Sequence, residues 1–382
     1  MANVIKYIIN YCLRIILVIF RIFPIDNSKV ILMSFGGKGL SDNPRYVAER
    51  LAKDYPQGKY IWLAKNMDEE YPEYITKVKI HSLRSMYELA TAKVWYFNSR
   101  VNLYMIKRKG QTYIQTWHGG ISVKKIGNAV NNSDFLATKR MQHDIAITDV
   151  MISSSGFGDK VYQKDFGFNK EILKHGYPRL DILFNATDED KALYRKKIGI
   201  KEGAKVVFYA PTFRDDQRTD VYDLDYDAIL KALESKWGGE WVFVTKFHPV
   251  MRNADNLIPG DPRVIDARGY DDTYEIMAVS DCLITDYSSV MFEMGMVHKP
   301  VFLYQKDYQD YCAGRGLYFT REELPFPNAQ DNDKLIENIA AFDAEPYVVA
   351  VDKLFKEKIE DYDDGRASER TSRYIVDILQ GK

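Results

Sequence analysis

The sequence predicts an α/β protein that contains two parallel sheets. Short runs rich in β-branched and aromatic residues alternate with helical patterns along most of the chain, which is typical of βαβ units. The chain has 382 residues, of which 46% are hydrophobic, so it is long enough to bury two sizeable cores. A polar, charge-dense stretch at residues 185–203 separates two series of strand-like runs. We therefore expect two Rossmann-type domains that face each other across a cleft.

The strand-like runs define the expected boundaries. The first series lies at residues 30–35, 60–64, 94–98, 112–116, 150–153 and 172–175, and the second at residues 206–210, 242–246, 263–266, 282–285 and 300–304. We place the first domain at residues 26–185 and the second at residues 186–382. The charged helical stretch from about Ala344 onward would cross back and brace the first domain.

Residues 1–25 differ from the rest of the chain. They are almost entirely apolar, and the polar exceptions, which include Asn10, Arg14 and Arg21, fall within one arc of a helix at about 100° per residue. An arginine near the middle of a membrane span is costly, so a transmembrane helix is disfavoured. The pattern predicts an amphipathic helix on an anionic membrane surface. The alternatives are a helix packed on the protein's own surface and, ranked last, a signal peptide.

Charge and cysteine content exclude several classes of function. The 53 basic residues balance 54 acidic ones, so no global basic field supports binding to nucleic acid. The three cysteines are widely spaced and indicate reduced thiols in a cytosolic protein. No cysteine or histidine has metal-ligand spacing, and the acidic pairs lie in polar stretches typical of the surface. We expect no metal and no cofactor.

The most informative segment runs from Thr285 to Glu293. An apolar strand-like run ends there in hydroxyl side chains at the start of a helical pattern. Unpaired N–H groups at a helix N-terminus bind phosphate, which predicts an anion site at Ser288 and Ser289, although an ordinary N-cap would look the same. Glu293, one turn later, would contact a ribose diol or only complement the helix dipole.

Cationic or proton-transferring side chains follow four other strand-like runs. His118 can accept a proton near neutral pH, and we expect it to be a general base; a core or capping histidine is the alternative. His248 would donate to a diphosphate or stabilise a turn. Arg179 and Arg214 would grip phosphate oxygens bidentately. Their alternatives are structural ion pairs, Arg179 with Asp181 and Arg214 with Asp215.

The segments that contain these residues, in this order, resemble the signature of the CDP-glycerol glycerophosphotransferases, which prime and extend teichoic acids and related capsular polymers. The five segments are Gln115–Gly119, Gly176–Asp181, Tyr209–Arg214, His248–Pro249 and Thr285–Ser289. The resemblance runs from about Val30 to Arg370, and the chain length is similar to that of the short priming members. It departs from the family at Gly120 and Ile121, where the commoner motif is His-Gly-Thr-Pro, which leaves the acceptor open. The resemblance implies substrate contacts at Gly119, Gly120, Arg179, Asp181, Thr212, Arg214, Lys246, Asp286, Ser288, Ser289 and Glu293, with His118 and His248 catalytic.

The resemblance also implies a function and a location. The fold would be the two-Rossmann-domain GT-B plan, with an N-terminal acceptor domain and a C-terminal nucleotide-donor domain. The chain would transfer glycerol phosphate from CDP-glycerol to a hydroxyl of a lipid-linked saccharide or polyol-phosphate acceptor, releasing CMP, as a peripheral protein on the cytoplasmic face of the bacterial membrane. The alternatives are a GT-B sugar transferase that uses a UDP- or CMP-sugar, and a non-catalytic nucleotide-binding scaffold.

Overall fold

The chain forms two compact units in a computed structural model that describes residues 2–129, 135–247, 251 and 254–382, without the side chains of residues 2–8, 254, 255 and 315. Unit 1 comprises Met1–Gly120, Ile126–Asp181 and Asp361–Lys382, and unit 2 comprises Ile121–Lys125 and Ile182–Glu360. This division differs from the expected boundaries in three places, because residues 121–125 and 182–185 belong to unit 2 and residues 361–382 belong to unit 1. The last of these is part of the stretch from about Ala344 that was expected to cross back to the first domain.

Unit 1 contains a seven-stranded parallel sheet in the order β3-β2-β1-β4-β5-β6-β7. Its strands are β1 (Asp26–Met33), β2 (Lys59–Ala64), β3 (Ile75–Lys79), β4 (Ala92–Phe97), β5 (Thr112–Gln115), β6 (Val150–Ile152) and β7 (Glu171–Leu173). The central strands are buried on both faces, which is why their sequences are continuous apolar runs. The strand order reverses between β1 and β4, and ligands of such sheets bind beyond the carboxyl ends at this switch point.

Unit 2 contains a six-stranded parallel sheet in the order β10-β9-β8-β11-β12-β13. Its strands are β8 (Lys205–Ala210), β9 (Trp241–Thr245), β10 (Val264–Asp266), β11 (Cys282–Thr285), β12 (Val301–Tyr304) and β13 (Asn328–Ala329). The order reverses between β8 and β11, so the switch point of this sheet lies beside the loops that follow Ala210 and Thr285. The prediction of two parallel-sheet α/β domains is confirmed.

Helices connect the strands in both units. Several begin at a side chain that accepts a backbone N–H group, such as Ser155, Thr187 and Asp225. The helices are α1 (Ala2–Ile19), α2 (Asp42–Asp54), α3 (Leu83–Thr91), α4 (Phe135–Ile147), α5 (Gly156–Lys164), α6 (Asp181–Asn185), α7 (Asp188–Ile198), α8 (Tyr226–Trp237), α9 (Thr273–Val279), α10 (Val290–Gly295), α11 (Tyr308–Arg315), α12 (Asn332–Ala341), α13 (Ala344–Leu354) and α14 (Ala367–Gln380).

The N-terminal helix α1 packs on unit 1 along one side. Leu17 is fully buried in the hydrophobic core of the unit, and Leu13, Ile16 and Phe20 pack against the same core. The opposite side carries exposed apolar residues, namely Tyr11, Ile15, Val18, Ile19 and, in the turn that follows, Ile22. Within the described residues no helix is long and apolar enough to cross a membrane.

Candidate functional site

His118 lies in the loop that follows β5 in unit 1. Its Nδ1 is 2.7 Å from the carbonyl oxygen of Asn98, the residue after β4. Because a carbonyl oxygen can only accept, Nδ1 carries the proton and Nε2 is the basic ring nitrogen. The Trp117 ring stacks on the imidazole with centroids 4.3 Å apart, and the Phe35 ring contacts it edge-on at 5.4 Å. The ring is therefore held in one orientation and one tautomer.

The surroundings of His118 favour its neutral form. Burial lowers the pKa of the imidazole below its ordinary value, and the charges of Arg179 and Arg100 act in the same direction. The hydrogen bond to Asn98 and the charge of Asp42 oppose this shift without reversing it. The ring is consequently unprotonated at neutral pH, with Nε2 able to accept a proton from an attacking hydroxyl group.

The two glycines after His118 differ in whether a larger side chain would fit in their place. A Cβ atom on Gly120 would lie 2.0 Å from the Ser154 hydroxyl and 2.9 Å from the Tyr177 ring, so only glycine fits this packing. A Cβ atom on Gly119 would approach nothing closer than 3.9 Å. Gly120 is thus required by close packing within unit 1.

Arg179 and Asp181, which were predicted to contact substrate, both have hydrogen-bond partners within unit 1. Arg179 is 1% exposed, and its Nη1 lies 2.7 Å from the Asp42 carboxylate and donates to the His118 carbonyl at 3.0 Å. The Asp181 carboxylate accepts the N–H groups of Ala367 and Ser368 at 2.9 and 2.7 Å and so caps the N-terminus of α14. The alternative pairing of Arg179 with Asp181 is wrong, since the partner is Asp42.

In unit 2, Arg214 is the centre of a buried ionic cluster. Its Nε and Nη2 donate to the two oxygens of Asp307 at 2.7 and 2.9 Å, and its Nη1 donates to Asp286 at 2.8 Å and to the Thr212 carbonyl at 2.5 Å. Both carboxylates and the guanidinium are almost fully buried. The carboxylate partners of Arg214 are therefore Asp286 and Asp307, and not Asp215 as the alternative had it. Its role as a phosphate ligand stays a prediction.

The same cluster ties together the two loops at the switch point of unit 2. Asp286 follows β11, and its Oδ1 accepts the N–H groups of Thr212, in the loop after β8, and of Tyr287 at 2.8 and 2.5 Å. Asp286 and Thr212 were predicted to contact substrate. In the structure a hydrogen bond between them joins the two loops, and their contact with substrate stays a prediction.

Of the two predicted site residues after β9, the structure describes Lys246 but not His248. The Lys246 ammonium donates to the carbonyl oxygens of Ala267 and Tyr270, in the loop that follows β10. Burial lowers its pKa, and nearby carboxylates oppose the shift. Lys246 therefore holds a loop of unit 2, whereas His248 lies outside the described residues.

Ser288 and Ser289 occupy the turn between β11 and α10. Both are partly exposed, and Ser289, the N-cap residue of α10, makes no side-chain capping hydrogen bond. The anion site at Ser288 and Ser289 stays a prediction, since partial exposure and a missing cap are also compatible with an ordinary turn. Glu293 is buried one turn further on, where the Tyr274 hydroxyl donates to it at 3.4 Å.

Sequence reasoning missed Asn98 and Asp307, which hold predicted site residues in position. Asn98 fixes the His118 ring through its carbonyl oxygen, and its side-chain oxygen accepts the Phe35 N–H at 2.8 Å. Asp307 holds Arg214. Both are polar residues that follow strands, so the rule that singled out His118 would also have found them.

Comparisons of the sequence with known proteins identify its family. The family model described as CDP-glycerol:poly(glycerophosphate) glycerophosphotransferase matches residues 15–377. The chain is 33% identical over 376 residues to a teichoic acid poly(glycerol phosphate) polymerase of Staphylococcus epidermidis, covering 93% of this chain and 51% of that protein. It is 29% identical over 393 residues to a teichoic acid glycerol-phosphate transferase of Staphylococcus aureus, covering 98% and 99%.

A solved structure agrees with these sequence matches. The wall teichoic acid polymerase TagF superimposes with a TM-score of 0.82 at 31% identity, covering 94% of this chain and 90% of that one. The chain spans about half the length of the first curated relatives that it matches, at 51% and 48%.

Proposed function

This chain belongs to the CDP-glycerol:poly(glycerophosphate) glycerophosphotransferase family, and on that premise we propose that it transfers glycerol phosphate from CDP-glycerol to a hydroxyl group of a lipid-linked acceptor in teichoic acid synthesis. The family match over residues 15–377 is the observation that carries this proposal. The geometry of His118, whose Nδ1 binds the Asn98 carbonyl and whose Nε2 is basic, supports it.

The proposed reaction is a displacement at phosphorus. The acceptor oxygen forms a bond to the phosphorus that carries glycerol, the bond between that phosphorus and the bridging oxygen breaks, and CMP leaves. The proton of the acceptor hydroxyl passes to Nε2 of His118. Ser288, Ser289 and the start of α10 stabilise the diphosphate of the donor.

The release of CMP tests the proposal. We expect the protein to release CMP from CDP-glycerol in the presence of a lipid-linked acceptor, measured by chromatography of the nucleotides, and to do so more slowly with CDP-ribitol. Turnover of a UDP- or CMP-sugar instead would identify a sugar transferase. Binding of CDP-glycerol without CMP release from any acceptor would identify a scaffold.

We also propose that the outer side of α1 binds the surface of an anionic membrane. Three isoleucines on this side are exposed: Ile15 at 47%, Ile19 at 57% and Ile22 at 79%. Neighbouring apolar side chains that are exposed together are typical of a surface that binds a partner or a membrane. The polar arc is partly used by the protein itself: Asn10 accepts the Tyr104 N–H at 3.3 Å, and Arg21 donates to the Ile106 carbonyl at 3.0 Å. Apolar burial would therefore contribute more to binding than charge.

Vesicle flotation tests this surface. The variant with Ile15→Ser, Ile19→Ser and Ile22→Ser should float less with anionic vesicles than the wild type does. Val349→Ser is the control, because Val349 is 65% exposed, within the range of the three isoleucines, but lies in unit 2. Equal flotation of the triple variant and the wild type would exclude α1 as the membrane contact.

A further inference from the structure

A buried polar network joins the two loops that hold His118. Asp144, on α4, is 2% exposed, and Gln115, the last residue of β5, is 1% exposed. Neither was selected as functional from the sequence. They lie in the same unit as His118 and connect the loop after β4 to the loop after β5.

Every oxygen of the Asp144 carboxylate is used. Its Oδ1 accepts the Val101 N–H at 3.1 Å and the Tyr113 hydroxyl at 2.8 Å, and its Oδ2 accepts from the Gln115 amide at 3.2 Å. Val101 lies three residues after Asn98, whose carbonyl binds Nδ1 of His118. One side of this carboxylate therefore anchors the loop that orients the imidazole.

Gln115 links Asp144 to the loop after β5. Its Nε2 donates to Asp144 and to the Tyr113 hydroxyl, at 3.2 and 2.7 Å, while its Oε1 accepts the Trp117 N–H at 2.9 Å. Trp117 has φ +55°, a left-handed conformation that costs a bulky residue about 1–3 kcal/mol and persists only where neighbours enforce it. Trp117 directly precedes His118 and stacks on its ring.

The buried carboxylate of Asp144 is not explained by packing alone. Burial raises the pKa of Asp144 to about 6, and the hydrogen bonds from Tyr113, Val101 and Gln115, with the charge of Arg100, limit that rise. A buried ionised group is costly unless all its hydrogen bonds are made. Here they are made to Val101, in the loop after β4, and to the side chains of Tyr113 and Gln115 on β5, which leads directly to His118.

We propose that Asp144 and Gln115 are positioning residues that hold the His118 imidazole in its reactive orientation and tautomer through the main chain of Trp117 and of residues 98–101. This inference rests on the proposed transferase reaction, in which His118 takes the proton. Neither residue contacts substrate.

Three variants test the network by donor–acceptor logic. In Asp144→Asn, an amide must face either the Gln115 amide or the Val101 and Tyr113 donors, so one donor–donor conflict is unavoidable. In Gln115→Glu, a second carboxylate faces Asp144. The double variant Asp144→Asn/Gln115→Glu restores one amide donor facing one carboxylate, with the direction reversed.

We expect each single variant to lower kcat by about 10- to 100-fold, because a small displacement of a catalytic group costs that much. KM for CDP-glycerol should change less than twofold, and the double variant should recover at least half of the loss on a logarithmic scale. Glu88→Gln is the control: Glu88 is also a buried carboxylate of unit 1, paired with Lys29 at 2.7 Å, and Lys29 lies towards the amino end of β1. This control should lower Tm but not kcat.

A second readout does not depend on activity. The ¹⁵N shifts of the His118 ring should show protonated Nδ1 in the wild type and a mixture of both tautomers in Asp144→Asn. Folded single variants with wild-type kcat and a single tautomer would overturn the inference, as would a double variant whose losses only add. If Asp144→Asn does not fold, Gln115→Glu decides in the same way. A wild type that releases no CMP defeats the proposed function, while the tautomer measurement still decides the positioning role.

Discussion

Replacing Arg214 by alanine should lower the stability of the protein more than its affinity for CDP-glycerol. The guanidinium makes four hydrogen bonds, three of them to the carboxylates of Asp286 and Asp307. Alanine would leave both carboxylates buried without their counter-charge, at a cost of roughly 3–5 kcal/mol. For a unit of this size each kcal/mol lowers Tm by about 2–4 °C, so the expected fall is about 6–20 °C.

The fall in Tm caused by Arg214→Ala should also depend on pH. Burial alone would raise the pKa of Asp307, but the hydrogen bonds and charge of Arg214 hold it below its usual range. This carboxylate therefore adds stability above its unfolded pKa of about 3.9, and the contribution is lost as pH falls through the folded value. Without Arg214 the carboxyl can protonate at higher pH, so the difference in Tm between variant and wild type should be smaller at pH 5 than at pH 8.

Differential scanning calorimetry with Arg218→Ala as control measures both effects. Arg218 lies in the same loop, but it is 33% exposed and pairs with the surface residue Asp220, so its loss should matter little. An Arg214→Ala protein with the Tm of the wild type and a CDP-glycerol affinity reduced more than tenfold would refute the structural role. That result would instead support Arg214 as a phosphate ligand.

Three other outcomes are expected. His118→Ala should lower kcat by about 10²–10⁴-fold while titration calorimetry finds an unchanged affinity for CDP-glycerol, and a near-normal kcat would eliminate His118 as the base. Because burial lowers the pKa of His118, kcat should fall with decreasing pH only below about 6.5, and an acid limb centred above pH 7 would contradict that shift. CDP-glycerol should raise Tm equally with and without EDTA, whereas a rise that requires Mg²⁺ would place a metal in the donor site.

The sequence was sufficient for the architecture because buried parallel strands leave continuous apolar runs. The prediction of two parallel-sheet domains and the family resemblance are both confirmed. The two strands that were missed, β3 and β13, lie at sheet edges. β3 carries Lys77 and Lys79, and such charges are typical of edge strands but hide the strand pattern.

The roles of individual site residues were harder to predict. Arg179 and Arg214 follow strands, as phosphate ligands do, but their partners Asp42 and Asp307 are 137 and 93 residues away along the chain. No local pattern shows such a pairing. The sequence could place His118 in the loop after a strand because the strand and the glycines lie directly beside it along the chain. The network that contacts its loop includes Asp144 on α4, which is distant in sequence.

The return of residues 361–380 to unit 1 has a consequence for biosynthesis. α14 packs on α2, is capped by Asp181, and holds Asp54 through the Ser372 hydroxyl at 2.7 Å. Unit 1 therefore cannot be completed until α14 leaves the ribosome. At about 5–20 residues per second, translation of the roughly 200 residues after Asp181 takes about 10–40 s. During that time unit 2 is synthesised, and the sheet that carries His118 lacks α14.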